Sequence, residues 1–244
     1  MKKKIAATVG LVILAALLAG GSIAYFTSND SGIMQFMATT YDPDNPKGYD
    51  DPDEVFSIVV DEQDVNDPDY NPEHPETNPR TEEGNKYEDM QPGDLYVKDP
   101  TVHNTGKYGQ YIRMRLYVSE GTGWNTACGK YGLPSLDFNT VPLFLEGFNA
   151  DFANGAEINY DADTDTYEFI YYLNHILEPG DSETLFEGVR IPAEFNREEA
   201  LLIQNFNVNV TAEAIQSDNL NLENIKMDED SAYEAFKKYW PEET

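Results

Sequence analysis

Three aspartates at alternate positions, Asp161, Asp163 and Asp165 in "DADTDTYEF", have the spacing with which loops present carboxylates to calcium. An EF-hand loop continues with Gly at its sixth position and Glu at its twelfth, where this chain has Thr166 and Tyr172. Asp and Thr in such a run also bond to nearby backbone at polar hairpin tips, so a turn is the leading reading and calcium the minor one. The three histidines are His74 in "NPEHPE", His103 in "TVHNTG" and His175 in "YLNHILEPG". A catalytic zinc usually takes three protein ligands and keeps an open position. No HExxH occurs, and His175 with Glu178 makes only a lone H-x-x-E at the end of a strand. There is no G-x-S-x-G elbow to activate a serine and no Gly-rich phosphate loop. The residues therefore give no positive sign of catalysis, and no cofactor beyond that weak calcium reading is expected.

The elements that would position these residues are mostly strands. In "LYVKDPTVHNTGKYGQYIRMRLYVSEG" two runs flank "NTGKYG". In the second, Ile112, Met114, Leu116 and Val118 alternate with Tyr111, Arg113, Arg115 and Tyr117, which predicts a half-buried strand with one wet face. "TVPLFLEGF" follows, and then "AEINYDADTDTYEFIYYLN" reads as a hairpin around the aspartates. "ETLFEGVRI" comes next, and "LLIQNFNVNVTAEAIQ" places Phe206, Val208, Val210, Ala212 and Ala214 on one face. Earlier, "VFSIVV" reads as a buried strand. About nine strands without an intervening long helix predict an antiparallel two-sheet sandwich, jelly-roll-like, over residues 42–218. Within it, residues 61–94 are rich in Pro, Asp, Glu and Asn and predict a long acidic insertion, exposed or partly disordered. In the tail 219–244, "DSAYEAFKKYW" has a cap-like Asp230 or Ser231, then Tyr233, Phe236 and Trp240 at helical spacing, and Pro241 as a stop. That predicts one short amphipathic helix docked on the sandwich. Cys128 has no cysteine partner, so an internal disulfide is excluded and a small buried residue is expected.

At the N-terminus, Lys2, Lys3 and Lys4 precede an apolar run and then the small residues Gly20, Gly21, Ser22 and Ala24. This is the order of a secretory signal peptide over residues 1–24, with Ser22 and Ala24 at the cut and Tyr25 as the new N-terminus. A retained anchor is the competing reading, because a bilayer is crossed by about 20 apolar residues. On the first reading the membrane is touched only through the uncleaved signal. Without those three lysines, 13 of the 16 basic residues remain against 45 acidic ones, a formal charge of −32. A chain this acidic repels phosphate backbones, which excludes nucleic acid as a partner.

Four ordered blocks carry a family resemblance. "GGSIAYFTSND" resembles the junction of exported proteins cut by the SipW-type signal peptidase of Gram-positive bacteria. "MQPGDLYVKDPTVHNTGKYGQYIRMRL", "YYLNHILEPGDSETLFEGVRIP" and "FNVNVTAEAIQSDN" resemble successive blocks of the TasA/camelysin family of biofilm-matrix and surface proteins, in the branch termed alternate signal-mediated exported proteins. The resemblance spans the junction and most of residues 91–218 and is weaker over 42–90. It implies a jelly-roll domain, secretion to the matrix or cell surface, and head-to-tail fibres in which one subunit's freed N-terminus completes the next subunit's sheet. The partners it implies are other copies of the chain, the signal peptidase, and matrix or surface proteins. On that reading Tyr25 and Phe26 lead the donor segment 25–41, and Met34, Phe36 and Ala38 present one face of its strand. The alternatives are a first strand that stays in its own domain and a non-polymerising adhesin or ligand-binding module. A camelysin-type metallopeptidase is a weaker reading, since this chain offers no recognisable metal motif for it.

Overall fold

The computed structural model describes residues 34–35, 57–87, 91–136, 142–152, 157–217 and 231–239. The signal segment with its Ser22/Ala24 cut, and Tyr25, Phe26, Phe36, Ala38 and Trp240, lie outside the described residues. The first strands are β1 (Met34–Gln35), β2 (Ser57–Gln63), β3 (Arg80–Thr81), β4 (Leu95–Val97), β5 (Thr101–Asn104) and β6 (Gln110–Val118). Helix α1 (Gly121–Tyr131) follows, then β7 (Leu145–Glu146), β8 (Glu157–Asp161), β9 (Thr166–Tyr172), β10 (Ser182–Thr184) and β11 (Gly188–Arg190). Helix α2 (Arg197–Leu202), β12 (Val208–Gln216) and α3 (Ser231–Tyr239) complete the set.

All described strand pairs are antiparallel. A five-stranded sheet runs β1-β2-β5-β10 with β3 also on β2, and a four-stranded sheet runs β12-β6-β9-β8. Ile58, Val60 and Val102 of the first meet Ile112, Met114, Leu116, Phe169 and Val210 of the second in one buried cluster, which makes the sandwich. The alternation read from β6 and β12 is realised in register, with Met114 opposite Ala212 and Leu116 opposite Val210. A third sheet, β4-β11-β7, adds to the expected two.

The wet face expected for β6 is overturned. Tyr111, Arg113 and Arg115 are buried. Ala232, Ala235 and Phe236 of α3 pack there with Tyr111, Ile170, Tyr172 and Ile215, so the predicted amphipathic helix is the element that dries this face. Arg113 and Arg115 share the Glu213 carboxylate, Arg115 also reaches Glu168 Oε1 at 2.7 Å, and the Arg113 guanidinium lies 4.4 Å from the Phe236 ring centroid. Charged side chains are tolerated here because they are paired and stacked.

Helices α1 and α2 have no counterpart in the sequence analysis, where the run from Leu201 reads as strand. Trp124, Ala127 and Cys128 form the buried stripe of α1, and Trp124 stacks on Phe144 with centroids 4.5 Å apart. Its start is capped from the β8–β9 hairpin, and its end turns through Gly132 at φ 67°, with Leu133 N–H donating to Cys128 C=O. Burial raises the Cys128 thiol pKa, as expected of an inert core residue. Against it lies α2, opened by a capping box between Asn196 and Glu199. A Cβ at Gly123 would lie 2.1 Å from Leu202 O, so only glycine permits this approach of the two helices.

The acidic insertion is organised at its roots. Asn85 donates to Glu62 Oε1 and to Gln63 C=O and accepts from Val65 N–H, and Lys98 Nζ meets Glu62 Oε2 at 2.6 Å. Arg80 reaches Asp61, Asp99 and Thr101. Between these anchors, residues 71–77 are exposed, the outcome expected of their composition.

Candidate functional site

The hairpin tip comes first, since it holds the regularly spaced aspartates. Asp161 Oδ1 accepts from Asp163 N–H at 2.8 Å, and its Oδ2 accepts from the Thr164 hydroxyl at 2.9 Å. Those bonds, the Thr164 hydroxyl foremost, hold the Asp161 carboxyl below its usual range. Asp165 sits in the left-handed region at φ 52°. Its Oδ1 accepts from Thr122 N–H at 2.9 Å, from the Thr122 hydroxyl at 2.8 Å and from the Tyr160 hydroxyl at 2.8 Å, while its C=O accepts from Gly121 N–H. Desolvation raises this carboxyl, but the Tyr160 and Thr122 bonds outweigh it and the net shift is downward. Asp161 and Asp165 thus close the turn and cap α1.

A second cluster draws on three separated segments. Asp151 lies in a short 3₁₀ turn (Ala150–Phe152), His175 in the loop after β9, and Glu183 in β10. One ligand atom from each falls within 4.8 Å of the others. Among the described residues this is the group of His, Asp, Glu or Cys suited to a metal ion, and Asp161, Asp163 and Asp165 are not gathered in one. His175 Nε2 stands 3.4 Å from Glu183 Oε1. Asn174 donates through Nδ2 to Asp151 Oδ1 at 3.0 Å and meets His175 Nδ1 through Oδ1 at 2.9 Å. Asn149 donates through Nδ2 to Glu183 Oε2 at 2.9 Å. No linear spacing announces this cluster, whose members lie 24 and 8 residues apart in the chain. The visible signal was limited to Asn-His and Asn-x-Asp, each pairing a ligand type with a side-chain amide.

His103 joins a different array. Its Nδ1 meets the Ser182 hydroxyl at 2.7 Å and its Nε2 meets Asp61 Oδ1 at 2.9 Å, across β10, β5 and β2. The residue types are those of a Ser-His-Asp relay, but Asp61 also holds Arg80, and Ser182 lies directly opposite His103 in an exposed ladder. The arrangement ties three strands and the root of the insertion together. His74 meets Glu76 on the exposed insertion.

The edge of the five-stranded sheet carries what is described of the N-terminal segment. Met34 pairs with Ile58 and Gln35 with Ser57, while Glu62 and Gln63 further along β2 pair with β3. Among the described residues, Val59–Asp61 have a ladder partner on the β5 side only.

Fold and sites together define a mostly-β sandwich protein whose N-terminal segment meets a sheet edge and whose Asp151, His175 and Glu183 converge in one cluster. No family model, curated protein or solved structure matches the chain.

Proposed function

We propose that this is an exported, non-enzymatic protein of a bacterial matrix or cell surface that self-associates through its N-terminal segment once the signal is removed. The supporting observation is that Met34–Gln35 of the N-terminal segment pair antiparallel with Ser57–Ile58 at the outer edge of the sheet. A segment that joins the sheet at its edge can be replaced there by the equivalent segment of another chain, through the same backbone bonds. Exchange of the 25–41 segment between copies is head-to-tail and gives an open filament. Tyr25 and Phe26 are then the leading anchors, with Met34, Phe36 and Ala38 on the strand. The TasA/camelysin resemblance points the same way.

The test compares protein starting at Tyr25 with protein starting at Asp42, by sedimentation and electron microscopy. Filaments from the longer form alone support the reading; identical monomers at all concentrations refute it. The second reading, a ligand-binding surface module, draws on a cleft of about 430 Å³ where the insertion meets the sandwich, lined in part by Tyr87, Tyr96, Asn205 and Phe206. Aromatic faces beside amides suit glycan or peptide ligands, and binding by a strictly monomeric chain favours that reading.

A further inference from the structure

We propose that Asp151, His175 and Glu183 bind one divalent transition-metal ion of the zinc class. The argument begins with a forced sequence of hydrogen bonds. An ionised carboxylate only accepts, so Asn174 must turn Nδ2 toward Asp151. Its Oδ1 is thereby left to face His175 Nδ1, and Nδ1 must carry the ring proton. Nε2, the ring nitrogen left to take an ion, stands 3.4 Å from Glu183 Oε1. An ion seated between these two atoms would be ligated by both. Asp151 and Glu183 supply carboxylate oxygens beside the ring that a divalent ion can take as further ligands.

The geometry accommodates the metal. Ligand atoms each about 2.1 Å from a tetrahedral zinc stand roughly 3.4 Å apart, the separation of His175 Nε2 and Glu183 Oε1. The remaining separations lie within 4.8 Å. The outer bonds are those of metal ligands: the far nitrogen of His175 and one oxygen of each carboxylate are held by Asn174 and Asn149, leaving an acceptor on each residue for the ion. Imidazole selects zinc-class ions over calcium, which seeks six to eight oxygens. A bound ion would join the 3₁₀ turn, the loop after β9 and β10. The inference is independent of self-assembly, because binding is read on the monomer.

The test titrates full-length mature protein with zinc at pH 7.5 in physiological salt and excess calcium, which saturates non-specific sites on the acidic surface. Retention of one zinc per chain is expected, with affinity at least 10-fold weaker at pH 5.5, where protons compete for the ring. His175→Ala should abolish retention, and Asn174→Ala, which keeps all three ligands but frees the ring, should weaken it by about 10-fold or more. Far-ultraviolet circular dichroism and metal-free melting establish that both variants fold. Equal zinc retention by wild type and His175→Ala, or full displacement by calcium, overturns the proposal in favour of diffuse binding to surface acids.

Discussion

The hairpin tip and the Asp151–His175–Glu183 cluster are both acidic, and they differ in what holds their carboxylates. At the tip, oxygens of Asp161 and Asp165 meet N–H and O–H groups of the turn and of α1. In the cluster, amide side chains grip each carboxylate from behind and leave an oxygen on the side of the imidazole. Regular spacing along the chain therefore belongs to the group that shapes backbone. Ligand-like geometry arises where three distant segments converge, and no short window of sequence contains it.

Glu213 sets the outer limit of this comparison, as a carboxylate held by two buried arginines. Glu213→Ala removes the carboxylate that Arg113, whose side chain is 1% exposed, shares with Arg115. Loss of one partner of a buried pair costs about 3–5 kcal/mol, which urea unfolding should register. A loss under about 1 kcal/mol would mean that other contacts of Arg113, the Phe236 ring among them, hold it instead. Asp165→Ala is the next largest: removing the cap of α1 should cost about 1–2 kcal/mol and leave zinc retention unchanged. If it weakened zinc as His175→Ala is expected to, the two regions would be one coupled site and the contrast would fail.

Glu199, the capping carboxylate of α2, gives a comparison in pH. The hydrogen bond from Lys130 Nζ, assisted by Asn196 N–H and the Tyr131 hydroxyl, brings its carboxyl down to about 2 from an ordinary 4.5. A depressed carboxyl contributes its full stability above the unfolded value and loses it as pH falls toward the folded one. Melting temperature should therefore fall between pH 4.5 and about 2, and Glu199→Gln should flatten that part of the curve. An unchanged slope in the variant would assign the acid sensitivity to other carboxylates.

What was legible in the sequence follows the same division. Period-two alternation exposed the inward faces of β6 and β12, and helical spacing found α3, because each pattern lies within one element. The outward face of β6 was misread as wet because its cover, α3, lies more than a hundred residues downstream. Helix α1 escaped because Gly121, Gly123 and Gly129 dilute its apolar stripe; two of them are glycines for packing reasons, against Tyr167 and Leu202. His175 was recognised as a ligand type, but its partners arrive through folding.

The smallest expected effect is the most discriminating for the hairpin. Asp163 lends its backbone N–H to Asp161, and its side chain is the middle ligand a calcium loop would require. Asp163→Asn keeps the N–H and the size of the side chain while removing the charge. On the turn reading, stability should stay within about 0.5 kcal/mol of wild type, and the calcium dependence of melting should be unchanged. A calcium loop predicts otherwise: loss of a charged ligand would weaken calcium binding strongly, and melting temperature would respond to calcium less in the variant. A flat response in both proteins leaves Asp161 and Asp165 as turn and cap residues. A response lost only in Asp163→Asn would make the tip a cation site, and the contrast with the histidine cluster would then be one of ion type, oxygen-seeking calcium against imidazole-seeking zinc.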